Sequence, residues 1–275
     1  MKNDFKDGVY DISNEIYHAA SAYSRSSLML LEKSPRHFWH KYLSGMAKKN
    51  KSTESMDLGS AFHTLLLEPG KFNQEFAVWS KVNRTTKAGK ELWSKFNEEH
   101  SNKIILTTDQ YEQVLEMVNN VKQHEIVLTL LDDSVFEQSI FWTDKETGLQ
   151  FKCRPDIWSS KMAVDLKTTK DASSHLIQRS AVGFGYYLQA GMIYEACRVI
   201  EKPIEMFVHL FCEKEEPYLP YVYLMKENAL KHGIEQFNEL KRKLSDCLSS
   251  DKWPLPPVME LDVPRYAIKN KDEEE

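Results

Sequence analysis

Cysteine is scarce: the 275-residue chain has only Cys153, Cys197, Cys212 and Cys247, too far apart for a disulfide framework. None has CxxC spacing, so a zinc ribbon or thiol-redox motif is excluded, and the apolar surroundings read as buried, reduced thiols. No apolar run approaches the ~20 residues that a membrane helix needs. The opening MKNDFKDGVYD lacks the basic-then-apolar pattern of a secretion signal. The expectation is a cytoplasmic protein with no membrane partner. Internal repeats, a P-loop and helicase motifs are also missing, which points to a protein acting without a motor of its own.

What is present is ample apolar content, 41%, and a net charge of -5 that is unevenly placed. Asp272 and the three glutamates after it supply four of those negative charges. Between Lys33 and Lys51 lie six basic residues and no acid, namely Lys33, Arg36, Lys41, Lys48, Lys49 and Lys51, with Phe38, Trp39 and Tyr42 interleaved. Such a stretch suits a local phosphate-binding patch on an acidic protein, and equally a solvated helix face.

Along the chain, SRSSLMLLEKSPRHFWHKYL predicts a short helix opened by Ser24 or Ser26, a break at Pro35, and a second helix. After the polar linker KNKSTES, MDLGSAFHTLLLEPG predicts a helix ended by Pro69-Gly70, with His63 in its apolar length. The basic loop SKVNRTTKAGK precedes a helix from Lys90 to about His100. Thr107 and Gln110 form a capping box for an amphipathic helix to about Leu131. The period then changes: VFEQSIFW, LQFKCRPDIW and MAVDLKTT read as three antiparallel strands of a meander. A helix from about Phe184 to Val199, two strands (IEMFVHLFCE and PYLPYVYLM) and a long amphipathic helix follow.

Residues 151 to 169, FKCRPDIWSSKMAVDLKTT, carry charge where a covered hairpin should be apolar. An unpaired buried carboxylate costs several kcal/mol or more, so something must offset Asp156 and Asp165. Alternation puts Ala163, Asp165 and Lys167 on one face and Met162, Val164 and Leu166 on the other. Two converging carboxylates select a hard cation, Mg²⁺ or Mn²⁺, and Lys167 on the same face suits phosphodiester chemistry. A structural Asp-Lys ion pair at a strand end is the alternative reading of the same residues. His63 alone is equally a core histidine, and Glu137 on the preceding strand is either an added carboxylate or an idle exposed residue.

Pro155-Asp156 followed by Asp165-Leu166-Lys167 resembles the PD-(D/E)XK nuclease motif, in a matching strand-turn-strand context. GSAFH with His63 and YYLQA with Gln189 resemble the helix-borne histidine and glutamine motifs of the RecB-like branch. NRTTKAGKE and DISNEIYH resemble stretches of the RecE-type exonuclease VIII nuclease domain, so the likeness runs from about residue 10 to about 200. It implies that Asp156, Asp165 and the Leu166 carbonyl hold Mg²⁺ and that Lys167 is the catalytic lysine. His63 would reach the same metal or its water, and Gln189 would orient Lys167 or the scissile phosphate. One departure is that a Tyr expected four residues after the glutamine is Ile193, with Tyr194 one later; Tyr186 or Tyr187 would substitute. The close C-terminal cysteine cluster of iron-sulfur relatives is missing.

The expectation is thus an α+β protein with a PD-(D/E)XK core: one domain over residues 1 to 265, with a helical part to about 131, a catalytic core from about 132 to 250, and a disordered acidic tail from 266. By resemblance it is an exonuclease that resects linear double-stranded DNA from the 5′ end for a RecT-like single-strand annealing recombinase, in a phage or prophage setting. It would work as a homo-oligomeric ring that faces its basic surfaces inward. Candidate DNA contacts are Arg36, Trp39, Lys41, Arg84, Lys87 and Lys90, with Phe38, Trp39 or Tyr42 expected to stack on bases at an opened end. The rival readings are a structure-specific endonuclease on the same core and an inactive scaffold that binds DNA ends.

Overall fold

The computed structural model describes residues 5–47, 52–80 and 85–263. A short strand, β1 (Gly8–Tyr10), and helix α1 (Asn14–Ala19) precede the helix pair read from the sequence, α2 (Arg25–Lys33) and α3 (Pro35–Tyr42). The break between them is chemical. Ser34 accepts a hydrogen bond from the Arg36 amide at 3.1 Å, and Pro35 takes the first helical position, where its missing N–H is no loss. Helix α4 (Glu54–Leu67) is capped by Thr53, ends before Pro69-Gly70, and buries Leu58, Ala61, Phe62, Leu66 and Leu67. After α5 (Phe72–Glu75) and β2 (Phe76–Trp79) comes α6 (Lys87–Glu99), which starts three residues before the expected Lys90 because Thr86 accepts from the Gly89 amide at 3.0 Å. Strand β3 (Ile104–Thr107) pairs in parallel with β2.

The capping box is as read: the Thr107 amide donates to Gln110 Oε1 at 2.8 Å, and the Gln110 amide donates to Thr107 Oγ1 at 3.2 Å. The one helix expected to reach Leu131 is two, α7 (Thr108–Gln123) and α8 (Glu125–Leu131), divided where His124 is extended at ψ 110°. The meander also differs from expectation. Five strands replace three: β4 (Val135–Phe136), β5 (Ser139–Thr143), β6 (Gln150–Cys153), β7 (Ile157–Trp158) and β8 (Met162–Thr169). Each of the first two expected strands is broken once. At the first break Glu137 has a left-handed φ of 51°, and the second contains Pro155, which cannot donate to a ladder.

The breaks divide the strands between two sheets. β5 and β6 join β1 in a three-stranded antiparallel sheet, while β4, β7 and β8 belong to a five-stranded one. Beyond β8 lies α9 (Ser174–Gly183), which the sequence reading missed, then α10 (Tyr186–Val199), β9 (Met206–Glu213), β10 (Pro220–Leu224) and α11 (Glu227–Ser250). The larger sheet has the order β10-β9-β8-β7-β4, with β8 and β9 parallel and its other pairs antiparallel. This mixed sheet flanked by helices is the α+β architecture expected. Among the described residues no helix is long and apolar enough to cross a membrane.

β8 lies at the centre of both cores. Met162, Val164 and Leu166 pack with Leu58 and Phe62 of α4 and Met117 of α7, while Ala163 packs with Leu188 of α10 and Phe237 of α11. Full burial of each large apolar side chain is worth about 1.5–3 kcal/mol. All four cysteines are buried free thiols, as read. Helices α10 and α11 touch backbone to backbone at Gly191 and Gly233: a Cβ on either would lie inside 3.0 Å of main-chain atoms of the other helix. On its far side α11 is tied to the β5–β6 turn, where Lys241 Nζ lies 2.7 Å from Asp144 and Arg242 Nε 2.6 Å from Glu146.

Replacing glycine by alanine inside a helix ordinarily stabilises by up to about 1 kcal/mol. Here Gly191→Ala and Gly233→Ala should each destabilise by about 1–3 kcal/mol or more, because neither backbone can retreat. Gly183→Ala, which meets nothing within 4 Å, should be neutral or stabilising. Urea denaturation of the three variants checks this.

Candidate metal and catalytic centre

The β7–β8 hairpin pairs Trp158 with Ala163 and Ile157 with Val164. One step further the same register sets Asp156 across from Asp165. Asp156 Oδ2 accepts the Leu166 amide at 2.5 Å, so the side chain closes the ladder where the main chain of β7 has turned away. The Glu137 amide donates to the Asp156 carbonyl at 3.0 Å. Both carboxylates therefore stand at the crease between the two sheets. From α4, His63 Nδ1 reaches to 3.8 Å from Asp156 Oδ2 and 4.0 Å from Glu137 Oε1. One ligand atom from each of the three residues lies within 4.8 Å of the others.

These groups hold one another's protons. Burial raises the Asp156 pKa most, His63 opposes the rise, and Asp165 adds to it, leaving the carboxyl pushed up to about 7. For His63 burial acts to lower the pKa, but Asp156 and Glu137 outweigh it and the imidazole is shifted above its ordinary value.

Asp165 is 1% exposed and takes three donors. Lys167 Nζ lies 2.6 Å and Gln189 Nε2 2.5 Å from Oδ1, and His209 Nδ1 lies 3.1 Å from Oδ2. Parallel pairing puts His209 of β9 directly beside Asp165. Burial alone would raise this carboxyl's pKa, but Lys167 and His209 hold it well below the usual carboxylate range. Three donors occupy three of about four lone-pair positions on a carboxylate, so one stays open. Gln189 is itself oriented from behind: Arg25 Nη1 donates to Gln189 Oε1 at 3.1 Å and to the Phe184 carbonyl at 2.9 Å.

The structure thus brings the expected residues into two adjoining groups. His63 and Asp156 form one, joined by Glu137, which is not the exposed strand residue of the sequence reading but a part-buried link in left-handed conformation. Asp165, Lys167 and Gln189 form the other, and Asp165 lies outside the 4.8 Å cluster. Leu166 bridges them, its amide on Asp156 and its carbonyl 3.5 Å from Lys167 Nζ. His209 and Arg25 were missed. His209 had a signal, as an imidazole on an apolar strand in phase with Phe207 and Phe211; Arg25, 164 residues from Gln189 in sequence, had none. Of the three tyrosines, Tyr186 borders the centre: burial, then the Asp165 charge, push its pKa up to about 12. Tyr187 instead packs on His232, and Tyr194 lies against the core.

The expected DNA contacts differ in exposure. Phe38 is wholly buried, which removes it as a stacking residue, and Trp39 packs on the core beneath the Arg36 guanidinium, 4.2 Å from its ring centre. Lys41 and Tyr42 are exposed. Lys87 and Lys90 are exposed in the first turn of α6, where their charge adds to the positive end of the helix dipole. Arg84, Lys48, Lys49, Lys51 and the acidic tail lie outside the described residues.

Two carboxylates, an imidazole and a neighbouring main-chain carbonyl are a hard, oxygen-rich donor set that fits Mg²⁺ or Mn²⁺. Without metal, the raised Asp156 contributes stability below its ordinary 3.8 that declines as pH rises to about 7. The raised His63 acts in the same direction, its contribution present below its ordinary 6.5 and lost as pH climbs through its higher folded value. The depressed Asp165 contributes above 3.8 and loses that contribution as pH falls. Metal-free protein should therefore be most stable in mild acid. Added Mg²⁺ or Mn²⁺ should raise the melting temperature more at pH 8 than at pH 5, by about 2–4 °C per kcal/mol, with protons released on binding. Thermal melts at the two pH values, with titration calorimetry in two buffers, measure both effects.

The chain has no significant match among curated proteins. Among solved structures it is similar to the "Putative exonuclease" from Eubacterium rectale, at 14% identity and a TM-score of 0.61, over 91% of this chain and 97% of that one. At that identity the likeness is one of fold. The structure of SSO0001 aligns over 83% of this chain and 88% of that one, at 8% identity and a TM-score of 0.29, and carries no weight. Residues 24–257 match the model of a family described as a PDDEXK-like domain of unknown function, DUF3799. That span takes in His63, Glu137, the Asp156–Lys167 hairpin, Gln189 and His209, and the chain belongs to this PDDEXK-like family.

Proposed function

We propose that the protein is a divalent-metal-dependent deoxyribonuclease that degrades linear double-stranded DNA from its ends. The observation that carries this reading is the convergence of His63, Glu137 and Asp156 beside the buried Asp165–Lys167–Gln189 group at one end of a hairpin. A structural ion pair would need Asp165 and Lys167 alone and would leave Asp156, Glu137 and His63 with no reason to share a corner. Asp165, through its open lone pair, and the Leu166 carbonyl complete the ligand set. A bound Mg²⁺ or Mn²⁺ would supply Lewis acidity at the phosphate and an activated water.

The chain's own residues do the rest. Lys167, tethered to Asp165 at 2.6 Å, holds a positive charge where the phosphorane becomes more negative. Gln189 keeps Asp165 oriented, and the resemblance supports a role for it in orienting Lys167 or the scissile phosphate. Exposed Lys41, Lys87 and Lys90, with Arg36 and Arg84, contact the DNA backbone without reading sequence. The RecE-type resemblance supports 5′-to-3′ resection, a ring of several copies, and delivery of the 3′ strand to a single-strand annealing recombinase.

End-labelled linear duplex should be degraded only with Mg²⁺ or Mn²⁺, covalently closed circles should be spared, and activity should fall steeply with added salt. Efficient linearisation of closed circles by the pure protein would overturn the exonuclease reading in favour of an endonuclease. Asp165→Ala and Lys167→Ala should each lower cleavage by several orders of magnitude, because the group acts as a unit, and near-normal cleavage by either removes the site assignment. His63→Ala should reduce metal-dependent activity while keeping stability within about 1–2 kcal/mol of the parent.

A further inference from the structure

A cavity of about 520 Å³ adjoins the catalytic group and shares Gln189 with it as a wall. Its lining carries Arg25, Lys152, Arg154 and His18, and none of the lining residues is acidic. The cations are held in place by neutral groups. Lys152, 5% exposed, donates to the Tyr17 and Ala20 carbonyls at 2.6 and 2.8 Å, and Arg154 donates to Ser139 Oγ at 2.6 Å and to the Ile12 carbonyl at 2.9 Å. The first turn of α2, Ser24 to Ser27, also faces the cavity and adds the positive end of a helix to the same field. His18 registers that field: burial first, then Lys152 and Arg154, lower its pKa.

The lining also has an apolar part, formed by Leu43, Met192 and Ile193 with Tyr42, which is 45% exposed. A chamber of this size, within the about 300–1,000 Å³ usual for small-molecule sites, with a cationic and an apolar aromatic part to its lining, matches a phosphate joined to a planar base. We infer that the cavity is a nucleotide subsite, which takes the phosphate of the nucleotide next to the scissile one at the Arg25 and α2 side and its base against Tyr42 and Leu43. Gln189, bonded to Arg25 on one side and to Asp165 on the other, then couples occupancy of the subsite to alignment of the catalytic group.

The strand that fills the cavity rests on the nuclease reading, but the binding does not. Calorimetry on metal-free protein with thymidine 5′-monophosphate, thymidine and inorganic phosphate separates the two. The monophosphate should bind at least about tenfold more tightly than either fragment, since it alone meets both parts of the lining. Ser26→Asp places a charge at the exposed rim in a helix-start position that favours acids; it should keep the melting temperature and weaken monophosphate binding at least about tenfold, while Ser26→Ala should not. No binding by the parent protein, affinity equal to that of inorganic phosphate, or indifference to Ser26→Asp overturns the subsite. DNA digestion with Mg²⁺ is run in parallel. Cleavage without nucleotide binding removes the subsite and keeps the nuclease; nucleotide binding without cleavage does the reverse.

Discussion

Asp165, at 1% exposure, would cost several kcal/mol or more to bury alone, and the elements around it are arranged to offset that cost. Lys167 reaches it from the same strand, His209 from the parallel neighbour and Gln189 from α10. Three elements distant in sequence are thereby pinned to two oxygen atoms. The parallel β8–β9 pair needs a crossover, and the crossover brings Gln189 back over the strand it left. Fold and centre are one constraint: a carboxylate this deep demands donors, and its own strand, the parallel neighbour and the returning helix supply them.

The second group obeys the opposite rule. Asp156, Glu137 and His63 sit partly open at the crease between two sheets, and the imidazole of His63 is the group that faces both carboxylates. Asp165 is held as an anion while Asp156 is biased toward its proton, although one hairpin carries both. Environment, not residue type, divides their roles. Glu137 reaches the crease only by adopting a left-handed backbone, a conformation costing of order 1 kcal/mol or more that gathers at functional positions.

Much of this was legible in the sequence. Alternation in MAVDLKTT fixed which face carries Asp165 and Lys167, and the Thr107–Gln110 box and the Pro35 and Pro69-Gly70 stops marked helix ends, because those signals are local. What stayed hidden was non-local. The partition of two apparent strands into two sheets depends on pairing with β1, more than a hundred residues earlier, although Pro155 inside the second was a cue to a break. Helix α9, which buries only Ile177 and Ala181, was passed over. Phe38 looked available for stacking within a basic run, but its ring packs against Tyr23, Tyr42 and Trp253, the last stacked on it at 5.5 Å. Arg25 had no signal at all, since its role is defined by a partner on another helix.

The bare contact of Gly191 with Gly233 has a consequence for the order in which the molecule comes into being. Gln189 stands half a turn from Gly191, so its aim at Asp165 is set by how α10 seats on α11. A growing polypeptide carries the whole β7–β8 hairpin out of the ribosome well before α11 has been made. Until α11 docks, α10 has only its contacts with α2, α9 and strands β5 and β6, and the seat that aims Gln189 is incomplete. The centre is therefore completed only once α11 has been made, and a chain broken off ahead of residue 227 has the acidic hairpin without the helix on which α10 seats.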